Sequence, residues 1–153
     1  MTVFKDIGGW REELEQLRNG PAYKTLYKQK IWNPKGDPLI PKSVILDFVE
    51  TLLAHEETRK ALLDLNRWHK ANPPETNPDP DNDPTFPHNA ANLQTEFLHW
   101  YMLKTGAGPR SSPFFTGLDI AVQILNCEIP DIRSSEAETY LRRTAKIHID
   151  FDR

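Results

Sequence analysis

Lys24 and Lys28 stand one helical turn apart beside Tyr23 and Tyr27, and Lys30, Trp32, Lys35 and Lys42 follow. Ammonium groups attract phosphate and flat aromatic rings stack on unpaired bases, which is the combination that single-strand binders use. A solvated lysine face over core tyrosines produces the same spacing, so the cluster alone does not separate the two readings. Arg142, Arg143 and Lys146 form a second basic group. The two groups act together only if the fold brings them to one face.

Other chemistry fails on spacing. Asp79, Asp81 and Asp83 copy the first ligand positions of a calcium loop, but Pro84 stands where that loop needs glycine and Ala90 where it needs a bidentate glutamate. The five histidines (His55, His69, His88, His99, His148) lack the spacing of a zinc motif, and His148 with Asp150 offers only two donors. Neither Ser111 nor Ser112 lies in a nucleophile elbow, and Cys127 has no flanking signature of a cysteine hydrolase. Gly106, Gly108 and Arg110 match no phosphate loop, since no strand precedes them and no Lys-Ser/Thr follows. The expectation is a protein without catalytic residues, metal or cofactor; carboxylates brought together only by folding leave no such trace.

The elements that must position these residues read as mainly α: a compact helical bundle of about six to seven helices with a long acidic Pro-rich loop and a short C-terminal strand. Trp10, Leu14 and Leu17 share a helical face, and Gly20 follows where a helix end favours a left-handed residue. Pro21 suits the first position of a second helix reaching Ile31. Val44, Ile45, Phe48, Val49, Leu52 and Leu53, then Leu62, Leu63, Leu65 and Trp68, predict two helices hinged near His55 or one long one. Asn89 is a candidate cap for a helix carrying Leu93, Phe97, Leu98, Trp100, Tyr101 and Leu103, ended by Gly106. Thr116 is the expected cap of a buried helix through Leu125, and Ser135 with Glu138 has capping-box spacing for the next. Ile147, Ile149 and Phe151 alternate with His148, Asp150 and Asp152, a strand pattern expected to pair with Thr2–Phe4 or with a partner's sheet edge.

Residues 1–153 read as a single helical domain, a length that buries a core without disulfides. Residues 72–88 read as an exposed insertion, with six prolines and four acidic residues between Asn72 and Pro87. The lone Cys127, in an apolar stretch, is expected to be buried and the compartment reducing. The opening segment lacks the build of a signal peptide and no apolar run reaches membrane length, so a cytoplasmic, non-membrane protein is expected. The net charge of −3 hides polarity: Arg18–Lys42 holds six basic residues and one acid, whereas Ala71–Leu103 holds five acids and neither lysine nor arginine.

In its size, inferred helical build and basic residues Lys24, Lys28, Arg142 and Arg143, the chain resembles the helical small subunits of CRISPR effector complexes. The resemblance implies a non-catalytic subunit that lines a nucleic-acid channel beside other protein subunits. The acidic loop and negative net charge depart from that pattern and confine binding to one face. The expected function is thus a subunit of a nucleoprotein complex that contacts single-stranded DNA or RNA through Tyr23, Lys24, Tyr27, Lys28, Lys30, Lys35, Lys42, Arg142 and Arg143. The alternative is a protein-binding adaptor using the aromatic helix face at Phe97, Trp100 and Tyr101. A hydrolase with a carboxylate pair assembled by folding is the third reading.

Overall fold

The computed structural model describes residues 9–21, 39–76, 79, 82–106 and 112–153. These form six helices and one two-stranded sheet: α1 (Trp10–Arg18), β1 (Ile40–Pro41), α2 (Lys42–Ala54), α3 (Glu56–Ala71), α4 (His88–Thr105), α5 (Ser112–Leu125), α6 (Ser135–Thr144) and β2 (Ile149–Asp150). The mainly helical bundle is therefore the architecture, with the Pro-rich stretch crossing between α3 and α4. The helix expected from Ala22 to Ile31 lies outside the described residues, as does the Thr2–Phe4 segment.

α4 is the hub. It packs against α1 and α3, while α5 lies along α2 and α6 leans on α5. Phe97, Leu98, Trp100, Tyr101, Met102 and Leu103 are all buried, so the large apolar side chains of its second half are covered by its own chain, with Lys104 and Thr105 left exposed. This corrects the expectation that the aromatic face at Phe97, Trp100 and Tyr101 serves a partner: α1, α2, α3 and α5 consume it. The rings meet edge-on, Phe48 at 5.1 Å from both Tyr101 and Phe114, and Trp10 at 5.3 Å from Phe97. Such contacts suit the quadrupole of aromatic rings better than face-to-face stacking.

Trp10 and Trp100 each find an acceptor on a neighbouring helix. Trp10 donates its indole N–H to Glu57 at 2.7 Å, and Trp100 donates to Glu13 at 2.6 Å. A cation completes each pair: Arg11 lies over the Trp10 ring and bonds Glu57, and Lys104 lies over Trp100 and pairs with Glu13. Tyr101 donates to Asp47 at 2.9 Å, and burial followed by that carboxylate pushes its phenol far above the ordinary range.

The joints depart from the sequence reading at several points. The hinge is real: His55 adopts an extended conformation between α2 and α3, its ring against Phe97 and its Nδ1 2.7 Å from the Thr51 carbonyl oxygen. Buried Thr58 directs its hydroxyl at the carbonyl oxygens of Leu52 and His55, adding to the bonds these accept from the His55 and Arg59 N–H groups on either side of the break. Gly106 closes α4 in the left-handed conformation, as expected. Gly20 does not do so for α1; Asn19 ends that helix with ordinary backbone angles. The left-handed residue after α5 is Cys127, at φ 61°, and it is exposed, which corrects the expectation of a buried cysteine. Its position in the turn, where Cys127 N–H bonds the Ile124 carbonyl, points the side chain outward.

Caps shift as well. Helix α5 already begins at Ser112, with Pro113 in its first turn, so Thr116 is inside the helix and caps nothing. Pro87, not Asn89, precedes α4. The cap of α6 is Ser134, which accepts from Ala137 N–H, and the Ser135/Glu138 box does not form because Glu138 turns to Lys42 and Arg142. Gly117 sits where α5 crosses α2 most closely: a methyl group there would press on Val49 Cγ2 at 3.2 Å and Phe48 Cδ2 at 3.3 Å.

β2 pairs in parallel with β1, Ile40 opposite Ile149, and Ile40 N–H bonds the His148 carbonyl at 3.0 Å. The strand pattern is right in kind, and the partner found for it is β1, which the sequence did not suggest; the expected Thr2–Phe4 partner lies outside the described residues. Parallel pairing is possible because α2 to α6 provide the long crossover it needs. Pro41 lacks an N–H and limits the ladder, and Ile147 is 69% exposed, so the alternation holds for two residues only.

Two outcomes follow. Thr58→Val leaves the kink carbonyls without their hydroxyl and should cost about 1–2 kcal/mol in urea unfolding. His99 is the second: its Nδ1 is buried without a partner, and desolvation, then Arg18, lower its pKa from 6.5 against a smaller opposing effect of Glu96. The folded state thus binds the proton less readily than the unfolded chain, so this contribution is present above pH 6.5 and lost as pH falls through the lower folded value. Thermal unfolding followed from pH 7 to 5 should decline, and His99→Gln should flatten the decline.

Candidate functional site

Two places gather side chains with chemistry to offer. The first is a basic edge beside the small sheet. Lys42 opens α2 and places its Nζ 2.9 Å from Glu138 of α6, whose other oxygen accepts from Arg142 at 2.5 Å. The Lys42 bond, with Arg142 adding to it, outweighs desolvation and holds the Glu138 carboxyl below its usual range. Arg142 also lies 4.3 Å over the Phe151 ring, and Arg143 lies 5.5 Å over Tyr140. Arg142, Arg143 and Lys146 remain exposed. The pairing of Ile40 with Ile149 fastens the described end of the basic Arg18–Lys42 stretch to the strand that follows α6.

Of the residues expected to contact nucleic acid, Lys42 and Arg142 are therefore brought together on Glu138, while Arg143 lies over Tyr140. Tyr23, Lys24, Tyr27, Lys28, Lys30 and Lys35 lie outside the described residues. The basic last turn of α6 also opposes the negative end of the helix dipole, a stabilising placement that needs no ligand.

The second place is a groove of about 680 Å³ between α3, α4 and α5, with Tyr140 of α6 and Phe86 of the Pro-rich segment completing its walls. Leu62, Leu65 and Leu118 form an apolar base, while Asn66, Gln94 and Gln123 bring amides to it. Phe86 is held in place by Trp68, 5.0 Å away edge-on, whose indole N–H donates to Thr85; Thr85 in turn bonds Asp83. The far end of the acidic stretch is thus an anchored wall. Asp83 serves this turn, and among the described residues no three His, Cys, Asp or Glu side chains are grouped to hold a metal ion.

Two groove residues were not singled out from sequence. Phe115 is 51% exposed on α5, and Asp119 follows it one turn later with no ion-pair partner among the described residues. Tyr140 brings its hydroxyl to 3.5 Å from Asp119 Oδ2, at the outer limit of a hydrogen bond. The open groove leaves Asp119 accessible to water, yet the apolar walls crowd its carboxyl: desolvation raises the pKa above 3.8, and Tyr140 only partly offsets it. Burial, with the Asp119 charge adding to it, raises the Tyr140 phenol too. The sequence signal was a lone acid inside the apolar run from Phe114 to Leu125.

The chain matches no known family model, and no curated protein or solved structure is significantly similar to it. No helix among the described residues is long and apolar enough to cross a membrane.

The raised Asp119 carboxyl has a measurable consequence. Its protonated form is favoured in the folded state, so the contribution is fully present below pH 3.8 and lost as pH rises through the folded value. Asp119→Asn should therefore raise the melting temperature at pH 7 by about 1–2 °C, a small gain because water in the open groove screens the charge. The gain should vanish at low pH in differential scanning calorimetry.

Proposed function

We propose that this protein is a non-enzymatic helical subunit of a larger nucleoprotein complex, in which it holds the backbone of single-stranded DNA or RNA along one basic edge. The observation that carries this reading is the convergence of Lys42 and Arg142 on Glu138, which joins the end of the N-terminal basic stretch to the basic turn of α6. Phosphate binding by lysine and arginine needs several cations along one track more than it needs a pocket. Arg143 and Lys146 are further exposed cations of the same helix end, and Lys24, Lys28, Lys30 and Lys35 belong to the same basic stretch of sequence as Lys42, with Tyr23 and Tyr27 as the stacking rings this reading calls for. The net charge of −3 is compatible with a locally positive face because acids and bases are unevenly distributed along the chain. A cytoplasmic place beside other subunits, of the kind the helical small subunits of CRISPR effector complexes occupy, fits this role.

Fluorescence anisotropy with labelled single-stranded oligonucleotides across a salt series tests the proposal. Affinity should fall steeply as salt rises, and Lys24→Ala/Lys28→Ala or Arg142→Ala/Arg143→Ala should each flatten the slope by about two phosphate contacts. An isolated chain that binds no oligonucleotide at low salt, or binding indifferent to both double variants, overturns it.

A further inference from the structure

The groove at Asp119 has no part in that reading, and its chemistry is of a different kind. An exposed phenylalanine inside a concavity, a carboxylate without a cation, and amides turned to the same space form a site that is incomplete by itself. Large apolar side chains are ordinarily covered, and Phe115 at 51% exposure is one of three large hydrophobic residues left open among the described residues. The other two, Leu39 and Ile147, flank the small sheet; Phe115 alone lies in the groove. At about 680 Å³ the groove has the size of a site for a small organic molecule.

The charges decide which molecule. Asp119 is the acid of the groove, and neither lysine nor arginine lines it; His69 is the one other titratable side chain there besides Tyr140. Tyr140 faces Asp119 from α6, and Gln123, one turn on along α5, gives its amide to the Asp119 backbone carbonyl at 3.4 Å rather than to the carboxylate. The carboxylate therefore retains acceptor capacity for a donor from outside. Phe115 and Phe86 present aromatic rings to the same space, and such rings attract a cation over their faces, whereas the Tyr140 ring already carries the Arg143 guanidinium 5.5 Å away. An anion would meet an acid and aromatic faces, and a purely apolar molecule would leave Asp119 desolvated without compensation.

We infer that the groove between α3, α4 and α5 is a binding site for a small organic ammonium ion with an apolar or aromatic body, its charged nitrogen held by Asp119 and its body lying against Phe115. The amides of Asn66 and Gln94, which make no side-chain hydrogen bond to another described residue, are available to polar substituents of that body.

Isothermal titration of the full chain with 2-phenylethylammonium, 2-phenylethanol and 3-phenylpropionate tests the assignment, because the three share a ring and differ in the charge of the head. The ammonium should bind at least tenfold more tightly than the alcohol, and the carboxylate should not bind. Asp119→Asn should abolish the preference for the ammonium over the alcohol while the protein stays folded, as shown by unchanged far-ultraviolet circular dichroism. Phe115→Ala should weaken the ammonium and the alcohol alike, and Phe115→Tyr should restore both. Equal binding of ammonium and alcohol, no binding of any of the three, or ammonium binding that survives Asp119→Asn would each overturn the assignment, the last by moving the cation to the acidic Pro-rich segment. Oligonucleotide binding at the α6 edge can fail or succeed independently of all three results.

Discussion

The bundle depends on two indole N–H groups that have to be satisfied while their rings are buried. An unpaired buried donor costs roughly 1–3 kcal/mol, and Trp10 and Trp100 avoid that cost by reaching across helices in opposite senses, α1 to α3 and α4 to α1. Their acceptors are glutamates, so each bond brings a negative charge to the edge of the core. Arg11 and Lys104 answer it from above the rings themselves, each touching both the π-face and the carboxylate. The rings lie 6.1 Å apart, so α1 cannot slide without breaking both pairs. With α1 fixed, α3 and α4 are fixed against each other, and their opposite faces are held apart as the walls of the groove.

Helix periodicity made the local elements legible. Trp10, Leu14 and Leu17 describe α1, and the apolar positions from Val44 to Trp68 describe α2 and α3 with the break at His55. What was not legible is where helices end to the residue. Ser134 and Ser135 are equally good caps by type, and the choice falls to Ser134 because Glu138, the reciprocal partner of a box at Ser135, gains more from Lys42 and Arg142. Cys127 illustrates the same limit: its apolar neighbours suggest burial, but a turn that needs one left-handed residue overrides the neighbourhood. The partner of β2 was illegible for a third reason, since strand pairing is decided by which edge the intervening helices deliver.

The two candidate sites differ in the same way. Basic residues are visible as composition, whereas their meeting at Glu138 joins residues 96 positions apart and comes only from the crossing of α2 and α6 beside the sheet. The groove was less visible still. Its chemistry is one acid in an otherwise apolar helix, and a single charged residue at the solvent-facing position of a surface helix is ordinary. Its significance comes from Tyr140 and Phe86, supplied by segments on either side in the chain.

That significance rests on contrast within the molecule. Glu13, Glu57 and Glu138 each hold a cation, and Asp47 accepts from Tyr101. Asp119 stands exposed at the mouth of the groove, partly crowded by its apolar lining, and among the described residues has only a stretched contact to one phenol. The adjacent turn contains Phe115, whose ring is about half exposed. A carboxylate without a protein cation and an uncovered ring on consecutive turns of one helix match a ligand that is cationic at one end and apolar at the other. A groove retained only as a packing defect gives no reason for the acid and the ring to share one face.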